Sequence, residues 1–339
     1  MALTTIDPAL QNTQAQYTGF KNRIINGAMG IWQRGTIVTP TSGAFTYITD
    51  RFAGYPGTSS SVTYSQSSNA PTGFSYSFKA QRPVSNTNTA TSYISQVIES
   101  NNMRDLVGQS ATISFWALAG ANYSSGGVAV YLNTGTVADQ GIATSIGGWT
   151  GYATATSLIF TPTTTWTKYT ATGTIPSNAL EMAILFGYAT TGTAGADDSL
   201  YITGVQLEKG STATSFDYRP YGTELSLCQR YYYRIVSGVA GQIFGSSFNA
   251  TTSTALVSTT LPVIMRASPS AIEQNGTAGD YRVNNLAVAT TCTSVPAFNN
   301  ATPYCAFTTF TTGAVLVAGQ GSAGSCVNGN AYLAWSAEL

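Results

Sequence analysis

Short strand-like segments follow one another through the first two-thirds of this sequence, and clusters of Gly, Ser, Thr, Asn and Pro separate them. Strands of this length and spacing are typical of antiparallel sandwiches and barrels. The predicted strands are Arg23–Trp32, Val62–Gln66, Phe74–Gln81, Ser92–Glu99, Thr112–Ala119, Val128–Thr134, Leu158–Thr161, Thr167–Thr174, Glu181–Gly187 and Leu200–Leu207. We therefore predict an all-β protein whose main domain is a β-sandwich of the jelly-roll type.

Alternation with a period of two residues indicates that one face of each strand is buried. In the segment SATISFWALA, every second residue from Ala111 to Ala117 is apolar, and these residues share one face. In SYISQVIES, Tyr93 and Val97 lie on the face opposite to Ile94 and Ile98. This pattern predicts which face each strand presents, but it does not predict which strands lie beside one another.

The composition excludes several classes of partner. Charged residues make up 8% of the chain, the net charge is zero and there is no histidine. No basic patch is present to attract nucleic acid, and no apolar run is long enough for insertion into a membrane. Residues 1–20 are polar and do not resemble a signal peptide, so we expect synthesis in a cytoplasm.

Charge is concentrated in the stretch GVQLEKGSTATSFDYRPYGTELSLCQRYYYR, residues 204–234. Its part TELSLCQRYY is the strongest helix candidate, with Thr223 as the cap and Glu224 near the positive end of the helix dipole. We predict a short helical hinge, 220–234, between the jelly-roll domain, 21–219, and a second, smaller β domain, 235–339. The helix residues that we expect to contact other copies of the chain are Leu225, Cys228, Tyr231 and Tyr232.

The segments AVLVAGQG and AYLAWSAEL predict the closing strands of the second domain. A G-x-G-x-x-G pattern occurs at Gly319, Gly321 and Gly324, but no helix pattern follows it, so a dinucleotide site is not expected. The cysteines fit no zinc pattern, which leaves a disulfide or buried free thiols, and free thiols are favoured in a reducing cell. The three cysteines of this domain are Cys292, Cys305 and Cys326.

Six blocks in this order resemble virion tail proteins of tailed phages, particularly cyanophage-like ones. They are FKNRIINGAMGIWQRG, YITDRF, SYISQVIES, LVGQSATISFWALAG, TWTKYTATGTIPS and the whole charged stretch 204–234. The resemblance covers residues 20–235. The first block and the segment Gly204–Glu208 also resemble the first and last strands of family 4/9-type carbohydrate-binding jelly rolls.

The resemblance implies a structural virion protein, either a tail fibre or a receptor-binding component. Such proteins are commonly homotrimers, with the N-terminus on other tail or baseplate proteins and the C-terminal domain facing the host. The carbohydrate-binding modules often carry an acidic residue, a possible calcium ligand, where this chain has Ile202-Thr203-Gly204. We therefore expect no metal ion, and no cofactor.

The sequence contains few side chains that could take part in catalysis. Without histidine there is no His-based triad or His metal site. Asp197 and Asp198 are the only adjacent acidic pair, and neighbours on an extended chain point to opposite faces, which makes a poor pair for glycan cleavage. We therefore expect a binding protein and not an enzyme.

Three loops combine aromatic side chains with amides or charges, as sites for sugars do. They are GGWTGYAT, NGTAGDYRVNN and PAFNNATPY. Two further tryptophans, Trp116 and Trp166, belong to strands and are expected in the core. The loop residues that we expect to bind glycan are Trp149, Tyr152, Asp280, Tyr281, Arg282, Phe298, Asn299, Asn300 and Tyr304.

The sequence thus predicts a tail fibre in the virion that binds a host-surface polysaccharide or envelope protein through multivalent, non-catalytic contacts. The second domain is the predicted receptor-binding part, and residues 1–20 are the predicted virion-attachment segment. Two alternatives stay open. One is a purely structural baseplate or tail component, and the other is a polysaccharide-degrading tail enzyme.

Overall fold

A computed structural model of the chain describes residues 20–285 and 288–339. The predicted attachment segment, 1–20, lies outside the described residues except for Phe20. The chain divides into two compact units, one that ends at Tyr221 and one that runs from Gly222 to Glu338. Strands dominate both units, which confirms the all-β fold class. In the part of the chain that the structure describes, no helix is both long and apolar enough to cross a membrane.

The first unit is a sandwich of two six-stranded antiparallel sheets. Sheet A has the order β1-β4-β5-β12-β7-β10, and sheet B has the order β2-β3-β6-β11-β8-β9. Short 3-10 helices span Ser100–Asn102, Arg104–Leu106 and Ile142–Thr144. The strands are β1 Ile37–Val38, β2 Thr46–Tyr47, β3 Ala53–Tyr55, β4 Thr63–Ser67, β5 Ser77–Gln81, β6 Ser92–Ile98, β7 Ser110–Ala119, β8 Val128–Gly135, β9 Ala153–Phe160, β10 Thr167–Thr174, β11 Glu181–Tyr188 and β12 Ser199–Lys209.

The core of this unit lies between the inner faces of the two sheets. Phe115 of β7 packs edge-on against Phe186 of β11, with their ring centres 4.9 Å apart, and also contacts Phe160 of β9 at 5.1 Å. The inner positions of β7 are fully buried, as the alternation predicted. The prediction that Trp116 and Trp166 lie in the core is wrong, because both side chains are only half-buried. The indole of Trp166 donates to Asn69 Oδ1 at 3.0 Å.

The predicted strand Arg23–Trp32 is also wrong, because this segment consists of turns and irregular backbone. Asn26 and Met29 have positive φ angles of 59° and 55°, which a strand does not allow. Ile24 and Met29 are nonetheless fully buried. Apolar residues in an ordered, irregular segment therefore produced the same pattern as a strand.

Side-chain amides replace the missing strand ladder of this segment. Asn22 Oδ1 accepts from the backbone N–H groups of Ile24 at 2.9 Å and Leu207 at 3.0 Å, and its Nδ2 donates to Val205 O at 3.1 Å. The amide of Gln96 makes two bonds to the backbone of Ile25, at 2.9 and 2.8 Å. Because Leu207 belongs to sheet A and Gln96 to sheet B, the segment is bonded to both sheets.

Much of the charge in the stretch 204–234 serves the first unit and not a hinge. Glu208 accepts from the backbone N–H and the hydroxyl of Thr214, at 2.9 and 2.6 Å. Asp217 accepts from the backbone N–H groups of Lys21 and Asn22, at 2.8 and 3.1 Å. The guanidinium of Arg219 donates to the carbonyl groups of Asn22 and Ile24. These bonds fasten residues 214–219 to β12 and to residues 21–24, where the irregular segment begins.

The second unit has a helix, α1, that spans Tyr221–Gln229, and two antiparallel sheets. Sheet C has the order β13-β22-β16, and sheet D has the order β18-β17-β21-β14-β15-β20-β19. A 3-10 helix spans Ala278–Asp280. The strands are β13 Tyr232–Val236, β14 Ile243–Asn249, β15 Thr254–Thr260, β16 Glu273–Gln274, β17 Tyr281–Asn285, β18 Val288–Thr291, β19 Ala297–Ala301, β20 Cys305–Thr311, β21 Gly321–Cys326 and β22 Tyr332–Ser336.

Two predictions for the second unit are wrong, namely the cap of the helix and the strand at AVLVA. The helix begins at Tyr221, so Thr223 lies inside it and is not its cap. The segment AVLVA forms turns, whereas the glycine-rich segment after it forms β21. A Cβ atom on Gly324 would lie 2.5 Å from the side chain of Val257, so this glycine allows close packing of β21 in its sheet.

None of the four cysteines, all of which lie in the described part of the chain, forms a disulfide. Cys292 and Cys326 are buried, and burial raises the pKa of the Cys292 thiol to about 12. Cys305 is only half-buried, unlike the expectation of buried thiols throughout.

The residues expected to contact other protomers lie mostly inside the protein. Cys228 and Tyr231 are fully buried, and Tyr232 is 1% exposed. The Tyr232 hydroxyl donates to Glu273 Oε2 at 2.8 Å. These three side chains therefore cannot provide the predicted contact, and only Leu225, which is half-buried, presents part of its surface.

Replacing Asn22 with alanine should destabilise the first unit by about 2–4 kcal/mol, since it leaves two buried N–H groups and one carbonyl group without partners. Urea unfolding followed by tryptophan fluorescence measures this change. The control is Asn101→Ala, at an exposed position, which should alter the unfolding free energy by less than about 0.5 kcal/mol. Equal unfolding midpoints for the two variants would show that the segment does not depend on Asn22.

Candidate functional site

The outer face of sheet B carries a row of side chains that crosses five strands. The register pairs Tyr55 of β3 with Tyr93 of β6, Tyr93 with Gly187 of β11, Gly187 with Ala129 of β8, and Ala129 with Ile159 of β9. Side chains at one register level point to the same face of a sheet. Aromatic residues therefore lie at one end of the row, and an aliphatic residue lies at the other.

Gly187 gives this face its shape. A Cβ atom at this position would lie 2.9 Å from the ring of Tyr93 and 3.8 Å from the ring of Tyr131, which follows Ala129 on the same face of β8. The ring of Tyr93 therefore lies closer to the backbone of β11 than a larger residue at position 187 would allow, and the ring of Tyr131 lies at contact distance on the other side. The result is a depression between two tyrosines.

Further aromatic rings extend the row towards the edge of the sheet. The ring centres of Tyr55 and Tyr93 are 5.7 Å apart, and those of Phe45 and Tyr55 are 5.1 Å apart. Both pairs are tilted, and all three rings are half-buried, so each keeps some surface towards solvent. This arrangement offers successive apolar ring surfaces along a line across the strands.

The depression forms the base of a cleft of about 640 Å³, which we call the tyrosine cleft. Among the described residues that line it, none is charged. Tyr152 is 38% exposed at its side. The cleft is lined by Thr91, Tyr93, Gly126, Gly127, Ala129, Tyr131, Ile146, Tyr152, Ile159, Leu185, Gly187, Tyr188 and Ala189.

The loop between β8 and β9 packs against another part of the outer face of sheet B. Trp149 of this loop is 3% exposed and packs in a small cluster with Val97 and Ala183 of the sheet. Its indole donates to Gly141 O at 3.1 Å. The expectation that Trp149 stacks on glycan is therefore wrong, because its ring is the anchor of the loop. Tyr152 of the same loop does reach the cleft.

The phenols of the cleft influence one another. Burial raises the pKa of Tyr93, and the neighbouring phenols of Tyr131, Tyr55 and Tyr152 raise it further. Tyr93 is therefore neutral at physiological pH, and its hydroxyl can both donate and accept a hydrogen bond. A neutral, amphipathic surface of this kind suits ligands that are themselves uncharged.

The residues predicted at positions 280–282 hold the second unit together. The carboxylate of Asp280 accepts from the amides of Asn275 and Asn328. Tyr281 is fully buried, and its hydroxyl donates to Tyr332 O at 2.8 Å. Arg282 donates from Nε to Ser325 Oγ at 3.2 Å. Tyr281 therefore offers no surface to a glycan, and the two charged residues are bonded within the fold.

The predicted residues at 298–304 lie at the edge strand β19 and in the turn after it. Asn299 and Asn300 are exposed, Phe298 is half-buried and Tyr304 is 61% exposed. Four strands separate β19 from β17 in sheet D, which corresponds to about 24 Å at the usual strand spacing. The structure therefore does not combine this loop with residues 280–282 in one site.

The acidic pair of the sequence is engaged in the fold. Asp198 is fully buried and accepts from Arg82 Nε at 2.9 Å, and its other oxygen accepts from the N–H of Ser124 at 3.0 Å. Asp197 accepts from the Ser199 hydroxyl at 2.8 Å. Within residues 20–285 and 288–339, no three cysteine or acidic side chains form a group that could hold a metal ion.

Sequence reasoning missed Tyr55, Tyr93 and Tyr131 because these residues lie in strands and not in loops. One signal was present, since the alternation placed Tyr93 on the face opposite to Ile94. The partners of Tyr93 across β3 and β11 follow from strand pairing, which the sequence did not reveal.

No protein-family model matches the chain, and no curated protein matches it. Among solved structures, a family 4 carbohydrate-binding module (CBM4) shares 17% identity over 55% of this chain and 98% of its own, with a TM-score of 0.34. The CBM22-1 xylan-binding domain of Xyn10C from Paenibacillus barcinonensis shares 10% identity over 57% of this chain and 98% of its own, with a TM-score of 0.33. The enzymatically active domain of tailspike protein 4 from bacteriophage CBA120 shares 16% identity over 56% of this chain but 21% of its own, with a TM-score of 0.33. Similarity at this level does not identify a ligand for this chain.

Replacing Tyr93 with phenylalanine should remove one phenol that titrates above the ordinary tyrosine pKa of 10.0. We expect the native unsubstituted protein and native Tyr93→Phe to differ in absorbance at 295 nm only above pH 10.0. In urea the same difference should have its midpoint near 10, because unfolding removes the burial. A difference with that ordinary midpoint in the native state would show that Tyr93 is open to solvent and not part of a cleft.

Proposed function

We propose that the first unit binds a carbohydrate chain, without cleaving it, in the tyrosine cleft. The observation that supports this proposal is the pair Tyr93 and Tyr131 beside Gly187, in a cleft with no charged lining among the described residues, with Tyr55 next to Tyr93 on the same face. Sugar rings have apolar faces that stack on aromatic rings, and their hydroxyl groups exchange hydrogen bonds with phenols. A row across the strands suits several consecutive sugars.

Binding without cleavage is supported by the placement of the carboxylates. Glycan cleavage uses two carboxyl groups on either side of the scissile bond, about 5–10 Å apart. None of the described residues that line the tyrosine cleft carries a carboxylate. Asp197 and Asp198 are held by hydroxyl, backbone and guanidinium groups elsewhere in the unit. The residues of the cleft therefore favour a binding module over a degrading enzyme.

We further propose that the protein is a virion component of a tailed phage, a tail fibre whose ligand is a polysaccharide of the host surface. The six sequence blocks over residues 20–235 support this part of the proposal, and residues 1–20 would attach the chain to other tail proteins. A purely structural baseplate component is the alternative. It would leave the tyrosine cleft without a ligand on the host.

Tyr93→Ala should weaken glycan binding by about tenfold to fiftyfold, because it removes one stacked ring and one hydrogen-bonding hydroxyl. The ligand is first found by affinity electrophoresis of the full chain in immobilised neutral polysaccharides, namely glucans, xylans, mannans, rhamnans and fucose-containing polymers. Calorimetry on the best of them then compares the variants.

The matched control is Tyr304→Ala, which removes an exposed tyrosine of the second unit and should leave the affinity unchanged. If Tyr304→Ala lost binding to the polysaccharide while Tyr93→Ala kept it, the site would lie in the second unit. An absence of binding to every polymer and to host cells would favour the baseplate alternative.

We propose a homotrimer, in which several weak clefts together give firm attachment through multivalent contact. Light scattering of the purified chain should give a mass three times that of the 35.4 kDa monomer. Because three of the four predicted contact residues are interior, the substitution Leu225→Glu should leave this mass unchanged. A monomer at micromolar concentration would overturn the trimer and leave a module that depends on its virion partners for assembly.

A further inference from the structure

The tyrosine cleft has two chemically different halves. Tyr93, Tyr131 and Tyr152 supply rings and hydroxyl groups. The register places Ile159 of the edge strand β9, which is 77% exposed, at the end of the row opposite to Tyr93. Ile146 of the β8–β9 loop, which is 38% exposed, also lines the cleft. An isoleucine with that much exposed surface contributes nothing to the core, so its apolar area is available to a ligand.

The aliphatic half is poorly suited to an ordinary hexose. Next to Ile159 the lining residues are Ala129 and Gly127, which have no polar side-chain atoms. A hydroxymethyl group placed against these three residues loses water and gains no hydrogen bond from them, which is unfavourable. A methyl group in the same place gains free energy from burial.

The two halves are close enough to contact one sugar. Ala129 pairs with Ile159, and Tyr131 follows Ala129 on the same face of β8. Tyr131 and Ile159 are therefore diagonal neighbours, at about 7–8 Å between backbone positions. A sugar that stacks on Tyr131 can direct a substituent of its ring towards Ile159.

We propose that the tyrosine cleft selects neutral glycans that contain 6-deoxyhexoses, with the methyl group of the sugar at Ile159 and its ring on Tyr131. This inference rests on the proposed function of the cleft. Uronic acids and sulfated sugars are excluded by the same surface, because no lining side chain among the described residues offers a compensating charge. The preference for a methyl group and the exclusion of charged sugars both follow from the residues that line this one cleft.

The test uses the full chain and pairs of sugars that differ only in a methyl against a hydroxymethyl group. The probes are albumin conjugates of L-rhamnose and L-mannose, L-fucose and L-galactose, and 6-deoxy-D-glucose and D-glucose. Surface plasmon resonance measures their binding to the immobilised protein. We expect at least one deoxy sugar to bind about fourfold more tightly than its partner, the effect of burying one methyl group at about 0.8 kcal/mol.

Two substitutions connect this preference to the proposed contact. Ile159→Ser should abolish the preference while the protein stays folded, because the position is exposed. The matched control is Ile37→Ser, which changes an isoleucine of similar exposure, 66%, on β1 of the opposite sheet and should keep the preference.

The outcomes separate this inference from the function on which it depends. Binding that Tyr93→Ala abolishes, but that shows no preference for a deoxy sugar, would overturn the selection and leave glycan binding intact. A preference that persists in Ile159→Ser would overturn it as well. No binding to any conjugate or polysaccharide would overturn both proposals together.

Discussion

The first unit depends on how the backbone of one irregular segment satisfies its hydrogen bonds. Strand β12 changes register against β7 between Thr203 and Gln206, and Gly204 has a φ of +61° there. The amide of Asn22 and the backbone of Gly27 bond to the groups of β12 in this region, with Val205 N–H donating to Gly27 O at 2.9 Å. Buried backbone groups without such partners would each cost about 1–3 kcal/mol. Since Gln96 of β6 binds the same segment, this network also fixes the strand that carries Tyr93.

Local pattern predicted most strands of the first unit because alternation reports which face of a strand is buried. It failed where apolar residues are buried without a ladder. The segment Arg23–Trp32 buries Ile24 and Met29 through turns, and the segment AVLVA buries Leu316 while Val315 and Val317 stay exposed. Both segments have strand-like composition, but their backbone groups bond partly to nearby turns and partly to distant residues, and not to a strand ladder. The distant partners, such as Leu207 for Arg23 and Thr252 for Leu316, cannot be read from the local pattern.

The candidate site was misplaced for a related reason. The loop pattern of aromatic residues beside Gly, Asn and Asp predicts glycan contacts in loops, where Trp149 is the most conspicuous residue. A loop that crosses the outer face of a sheet needs an apolar anchor, and Trp149 fills that role over Val97 and Ala183. Apart from Tyr152 of that loop, the tyrosines that point into the cleft belong to strands. The position of Tyr93 requires Gly187, whose significance appears only when β6, β11 and β8 are paired. A single glycine in a strand was the available signal, since it often marks a close approach.

The scarcity of charge has a structural meaning beyond the exclusion of charged partners. The charges that the first unit does contain are largely committed to internal bonds: Arg82 and Asp198 form an ion pair with 2% and 0% of their side chains exposed. Glu208 and Asp217 are likewise occupied by Thr214 and by the irregular segment. Removing one member of a buried pair costs about 3–5 kcal/mol, so Arg82 and Asp198 cannot be reassigned to a ligand without a large loss of stability. The low content of charged residues therefore accounts both for the uncharged cleft and for the small number of charges, which are bonded internally. Shape and hydroxyl groups are what the cleft can offer to a ligand.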